Sequence, residues 1–169
     1  LGFAIWQSGL RWLWVSALVV LLDVVTKRLV STHLSLHEAI VVTPFFNVTL
    51  AHNQGAAFSF LHDAGGWQRW LLIGLALVVS VMLLIWLSRL VAARWWTGTA
   101  LAMIFGGAAG NVWDRIQHGY VVDFIQVYYQ DWYFPSFNIA DSAISVGAVM
   151  LLIESIRKEN TNHSSPDYR

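Results

Sequence analysis

The chain contains no cysteine and only three prolines, and Lys, Arg, Asp and Glu together make up just 12% of its 169 residues. Without cysteine, disulfides, thiol catalysis and cysteine-based metal sites are excluded. The charged share is about half the roughly 25% of a typical soluble domain. Basic and acidic residues balance at ten each, so no basic stripe is available to neutralise phosphates. A nucleic-acid partner is therefore not expected. No Walker-type or dinucleotide glycine loop occurs, which leaves nucleotide chemistry without support.

What is present is apolar. Hydrophobic residues make up 57% of the chain, ten residues are tryptophan, and the mean hydropathy is +0.56. A helix needs about 20 mostly apolar residues to cross a hydrocarbon core of about 30 Å. Four segments approach that length, near 12–30, 67–88, 95–113 and 137–156. The expected fold is an all-α membrane protein with four transmembrane helices and a small extracytoplasmic β-rich region, forming one domain over 1–169. The first segment follows Arg11 but is not read as a cleaved signal peptide. Asp23, Lys27 and Arg28 follow it where small residues would mark a cleavage site. Because the chain begins at Leu1 rather than Met, its native N-terminus is expected to have been trimmed or replaced.

Lys and Arg set the expected orientation. Arg11, Arg89, Arg94, Arg157, Lys158 and Arg169 fall on one side of a four-helix arrangement, and Lys27, Arg28, Arg69 and Arg115 on the other. The excess predicts both termini in the cytoplasm. Tryptophans such as Trp12, Trp67, Trp86, Trp95 and Trp113 sit near segment ends, as interfacial anchors do. The two long loops then face outward. Residues 31–66 are β-branched and aromatic around Pro44, which predicts one or two short strands on the membrane surface. Residues 114–136 are aromatic and read as a loop in which Trp132, Tyr133 and Phe134 form a lid. Small residues at Gly106, Gly107, Ala108, Ala109 and Gly110 predict close helix packing. The polar tail 157–169 reads as disordered.

Ionisable groups cost about 2.5–3.5 kcal/mol near the centre of a membrane helix. Here Asp23, Lys27, Asn53, Asn111, Asp114, Arg115, Asp123, Asn138 and Asp141 all map towards the outer side, so they read as one site. Several have a plain structural explanation. Asp23 and Lys27 form an i, i+4 pair, Asn138 suits a helix N-cap, and Asp141 would sit in the favourable first turn. Asp123 has none, since apolar residues flank it on both sides. Two carboxylates brought together in an apolar setting share a proton near neutrality, which suits aspartic-protease chemistry. Proton or ion transport by the same groups, or a packing scaffold, remain open on the residues alone. His33 and His37 have a metal-like spacing but no evident third ligand, so no metal is expected, nor any other cofactor. Ser59 and Ser142 lack a histidine partner in sequence.

Four stretches together resemble the bacterial lipoprotein signal peptidases, or signal peptidase II. They are Asn53-Gln54-Gly55-Ala56-Ala57-Phe58-Ser59, Gly110-Asn111-Val112-Trp113-Asp114-Arg115, Val121-Val122-Asp123-Phe124 and Phe137-Asn138-Ile139-Ala140-Asp141-Ser142. Their order and intervals agree over about residues 12–156. The resemblance implies an inner-membrane aspartic endopeptidase that cuts diacylglyceryl-modified prolipoproteins just before the lipidated cysteine. By motif it implies Asp123 and Asp141 as the catalytic pair and Asn53, Gly55, Asn111, Arg115 and Asn138 as substrate-binding groups. Asp23, Lys27 and Asp114 would be supporting. Val24 departs from the family's usual Gln. The implied partners are the prolipoproteins and membrane lipids. A monomer is expected, with its active site near the periplasmic face.

Overall fold

The computed structural model describes residues 7–55 and 66–163, with side chains to residue 157. Ser59 and the tail beyond residue 163 lie outside the described residues. A short 3-10 turn, Gly9–Trp12, leads into helix α1, Leu13–His33. Strands β1, Ala39–Thr43, and β2, Phe46–Asn53, follow as a hairpin turning at Pro44 and Phe45. Helices α2, Trp67–Arg89, and α3, Trp95–His118, are joined by a short link. Strands β3, Val121–Tyr129, and β4, Trp132–Tyr133, precede α4, Ile139–His163.

The fold is mostly helical with one antiparallel four-stranded sheet in the order β1-β2-β3-β4. The sheet is the expected small β-rich region, but it extends beyond the 31–66 segment. Half of its strands come from 114–136, which composition presented as a loop. β3 pairs along β2, with Ala51 opposite Asp123 and Asn53 opposite Val121. Such pairing is non-local, so no local pattern reveals it. The third helix also runs five residues past the expected end at 113. Gly119 stops it at φ +85, where its N–H reaches the Arg115 carbonyl at 3.1 Å.

Helix α3 is the centre of the bundle and packs against α1, α2 and α4. Its small residues make this possible. A Cβ at Gly106 would come within 2.8 Å of the Ser16 backbone on α1, and one at Gly107 would collide with the Ala140 carbonyl on α4. Leu83, Leu87, Leu90 and Leu101 form a core at the end of the bundle near the α2–α3 link. A second core of Leu34, Leu50 and Val122 joins the end of α1 to the sheet. Outside, α2 exposes Leu75, Leu77, Val78, Val81 and Met82. By length and composition, α2 and the Ile139–Arg157 part of α4 are apolar enough to cross a membrane.

Candidate active site

The buried polar groups converge where the sheet meets the bundle. Asp123 faces inward from β3 and is 2% exposed. Its Oδ1 accepts a 2.7 Å hydrogen bond from Asn138 Nδ2, and its Oδ2 accepts one of 3.0 Å from Asn53 Nδ2. Asn53 is available because the β2–β3 pairing carries it alongside, across seventy residues of sequence. Asn138 immediately precedes α4, and its Oδ1 accepts the Asp141 N–H at 2.8 Å. The residue is thus the expected N-cap, yet its amide also holds Asp123. Asp141 Oδ1 accepts a 2.7 Å bond from Asn111 Nδ2 on α3.

Three further charges hold these parts in place. Lys27 Nζ lies 2.6 Å from Asp23, 2.9 Å from Asp114 and 3.3 Å from Asn111 Oδ1. Asp23 Oδ1 accepts the Ala140 N–H at 2.9 Å, tying α1 to the first turn of α4. Asp114 Oδ2 accepts the Val122 N–H at 3.1 Å, tying α3 to the strand beside Asp123. Asp123 and Asp141 therefore each follow a residue whose backbone is bonded to this buried triad. Arg115 donates to the Gly55 carbonyl at 3.0 Å and the Asn111 carbonyl at 3.3 Å. Gly55 donates its own N–H to Asn53 Oδ1 at 3.1 Å.

Burial raises the Asp123 pKa from 3.8 to about 7, with the Asp141 carboxylate adding to the rise. The amides of Asn53 and Asn138, and the Lys27 charge, oppose it. A carboxyl poised there exchanges its proton at neutral pH. Both aspartates line a cavity of about 820 Å³, which Asn53, Asn111 and Arg115 also line. Phe134 lines it as well, whereas Trp132 and Tyr133 of the expected lid are exposed on β4.

All of the sequence-predicted site residues are thus gathered at one place. Sequence reasoning missed His52, which also lines the cavity and stacks on Tyr120 at 3.8 Å. Burial first, then His37 and His118, lowers its pKa below the ordinary 6.5, favouring the neutral ring. Strand alternation offered no signal for it beside Asn53. Ser142 points its hydroxyl to the Asn138 carbonyl at 2.8 Å. Among the described residues, no group of three or more His, Asp or Glu side chains is arranged to hold a metal.

Comparison with known proteins bears directly on this arrangement. A family model described as signal peptidase (SPase) II matches residues 15–157. A lipoprotein signal peptidase of Pseudoalteromonas atlantica is 50% identical over 157 residues, covering 92% of this chain and 96% of that protein. One from Pseudomonas aeruginosa is 51% identical over 158 residues, covering 92% and 94%. A bacterial membrane enzyme solved by the in meso method is similar with a TM-score of 0.81 at 28% identity, covering 94% of each chain. With sequence and fold agreeing over most of its length, the chain belongs to the signal peptidase II family of aspartic endopeptidases, the membrane enzymes that process lipoproteins.

Proposed function

We infer that Asp123 and Asp141 are the catalytic pair of this lipoprotein signal peptidase. The observation that carries the reading is the shared asparagine: Asn138 donates to the Asp123 carboxylate while accepting the Asp141 N–H. One carboxylate takes a proton from water as the oxygen attacks the scissile carbonyl; the protonated partner gives its proton to the carbonyl oxygen. Collapse of the tetrahedral intermediate breaks the C–N bond, and a carboxyl returns a proton to the departing cysteine nitrogen. The Asp123 pKa near 7 supports the shared proton this cycle needs. Asn53, Gly55, Asn111, Arg115 and Asn138 bind the substrate backbone and orient the pair. Asp23, Lys27 and Asp114 fix the elements that carry it.

The chain forms a single integral-membrane domain in which α1 to α4 all cross the bilayer. Both termini are cytoplasmic, and the dyad and sheet lie near the periplasmic face of the inner membrane. The apolar surface of α2, the excess of Lys and Arg on one side and the gathering of polar groups at the other end support this. The enzyme acts as a monomer within the lipid. Transport by the same carboxylates finds no support in the relatives, which are lipoprotein signal peptidases.

The test is cleavage of a diacylglyceryl-modified prolipoprotein by detergent-purified protein. Wild type should cut just before the lipidated cysteine, and Asp123→Asn and Asp141→Asn should each lose at least about 10³-fold while melting normally, as removal of acid–base chemistry implies. Cleavage surviving either substitution would refute the dyad.

A further inference from the structure

The cavity changes character along α4. Around the dyad it is walled by Asn53, Asn111 and Arg115, whereas one turn further along α4 its wall is Ile144, Ser145 and Val146. Ser145 is the polar exception there. Ser142 returns its hydroxyl to the Asn138 carbonyl, and Thr26 and Ser88 satisfy theirs on their own helices. Ser80 on α2 and Thr99 on α3 have no partner among the described residues, but neither lines the cavity. Ser145 has no hydrogen-bond partner among the described residues, and its side chain is exposed at the cavity wall. A hydroxyl not turned back to its own helix is free to donate to an acceptor that enters the cavity. A substrate carbonyl reaching that point can take this hydrogen bond.

The position along the helix suggests which acceptor arrives. Ser145 follows Asp141 by four residues, a rise of about 6 Å away from the N-terminal end of α4. With the scissile carbonyl at the dyad, the ester carbonyls of the cysteine-linked diacylglyceryl group lie roughly eight covalent bonds away. A partly extended chain of bonds near 1.5 Å spans about 6–9 Å over that distance. The acyl chains must continue towards hydrocarbon, in the direction of Ile144 and Val146. The ester carbonyls are then the acceptors that pass Ser145.

Resting on the dyad assignment above, we propose that the Ser145 hydroxyl donates a hydrogen bond to an ester carbonyl of the substrate's diacylglyceryl group, making Ser145 a determinant of specificity for ester-linked lipid. The experiment compares two synthetic prolipoprotein peptides, one with the natural diester and one with a dialkyl ether that lacks both carbonyls. On the diester, Ser145→Ala should lower kcat/KM by about five- to tenfold, mainly through KM, the worth of one neutral hydrogen bond. Ser145→Thr, which keeps the hydroxyl, should retain most of the activity. On the ether, wild type and Ser145→Ala should agree within about twofold. Equal losses on both substrates, or no loss on the diester, would overturn the proposal while leaving the peptidase intact. Failure of folded wild type to cut the diester at all would overturn the dyad assignment and this proposal together.

Discussion

Asp123 shows how burial is turned to use at a single residue. Its proton is held more tightly in the folded than in the unfolded chain, since the pKa rises from 3.8 to about 7. The contribution of this group to stability is therefore fully present below the unfolded value and is lost as pH rises through about 7. In the proposed mechanism cleavage needs the shared proton, so kcat/KM, which follows the free enzyme, should fall on an alkaline limb centred near 7 in a pH–rate profile. Asn53 donates to the charged carboxylate and so lowers this pKa. Asn53→Ala should move the limb to higher pH as well as reduce the maximum rate; an unmoved or lowered limb would count against Asp123 as the proton carrier. Lys27 is the other residue with no substitute. It is 4% exposed and lies against both Asp23 and Asp114. Lys27→Met would strand two buried carboxylates at a cost of about 3–5 kcal/mol. Thermal melting in detergent should register that loss, and adding Asp114→Asn should recover part of it.

Between elements, the tightest constraint is the contact of α3 with α4. A Cβ at Gly107 would collide with the Ala140 carbonyl and lie 2.7 Å from Ile144 Cγ1. Since Ala140 and its neighbours carry Asn138 and Asp141, Gly107→Ala should cost about 1–3 kcal/mol by overpacking and also lower cleavage. Gly74 on α2 has nothing within 4 Å of a built Cβ, so Gly74→Ala should leave both melting and activity near wild type. Equal effects of the two would mean that helix propensity, not packing, governs the glycines. The same contact explains why the small-residue run was legible in sequence: close packing needs the missing Cβ wherever backbones meet. The hairpin around Pro44 was legible for a similarly local reason, its β-branched and aromatic residues interrupted by a proline. The strand carrying Asp123 was not, because its apolar residues serve pairing with β2 as readily as they would serve a surface loop.

For the molecule as a whole, orientation is the property to measure, and the absence of cysteine makes it accessible. Single cysteines at Ala93, in the α2–α3 link, and Asp131, between β3 and β4, can be labelled in intact cells with a membrane-impermeant maleimide. Asp131→Cys should label from outside, and Ala93→Cys only after the cells are permeabilised. Labelling of both from one side would rule out the four-crossing arrangement. Amino-acid order alone determined the membrane class, the helical segments and the identities of the polar residues. Hydropathy is a property of a local stretch, and an ionisable group in an apolar run is conspicuous wherever it lies. The tertiary structure alone decided that Asn53 meets Asp123, that Asn138 serves both aspartates, and that Lys27 joins α1 to α3. Those contacts depend on strand register and helix packing between distant segments, and their energy exists only once the chain has closed around them.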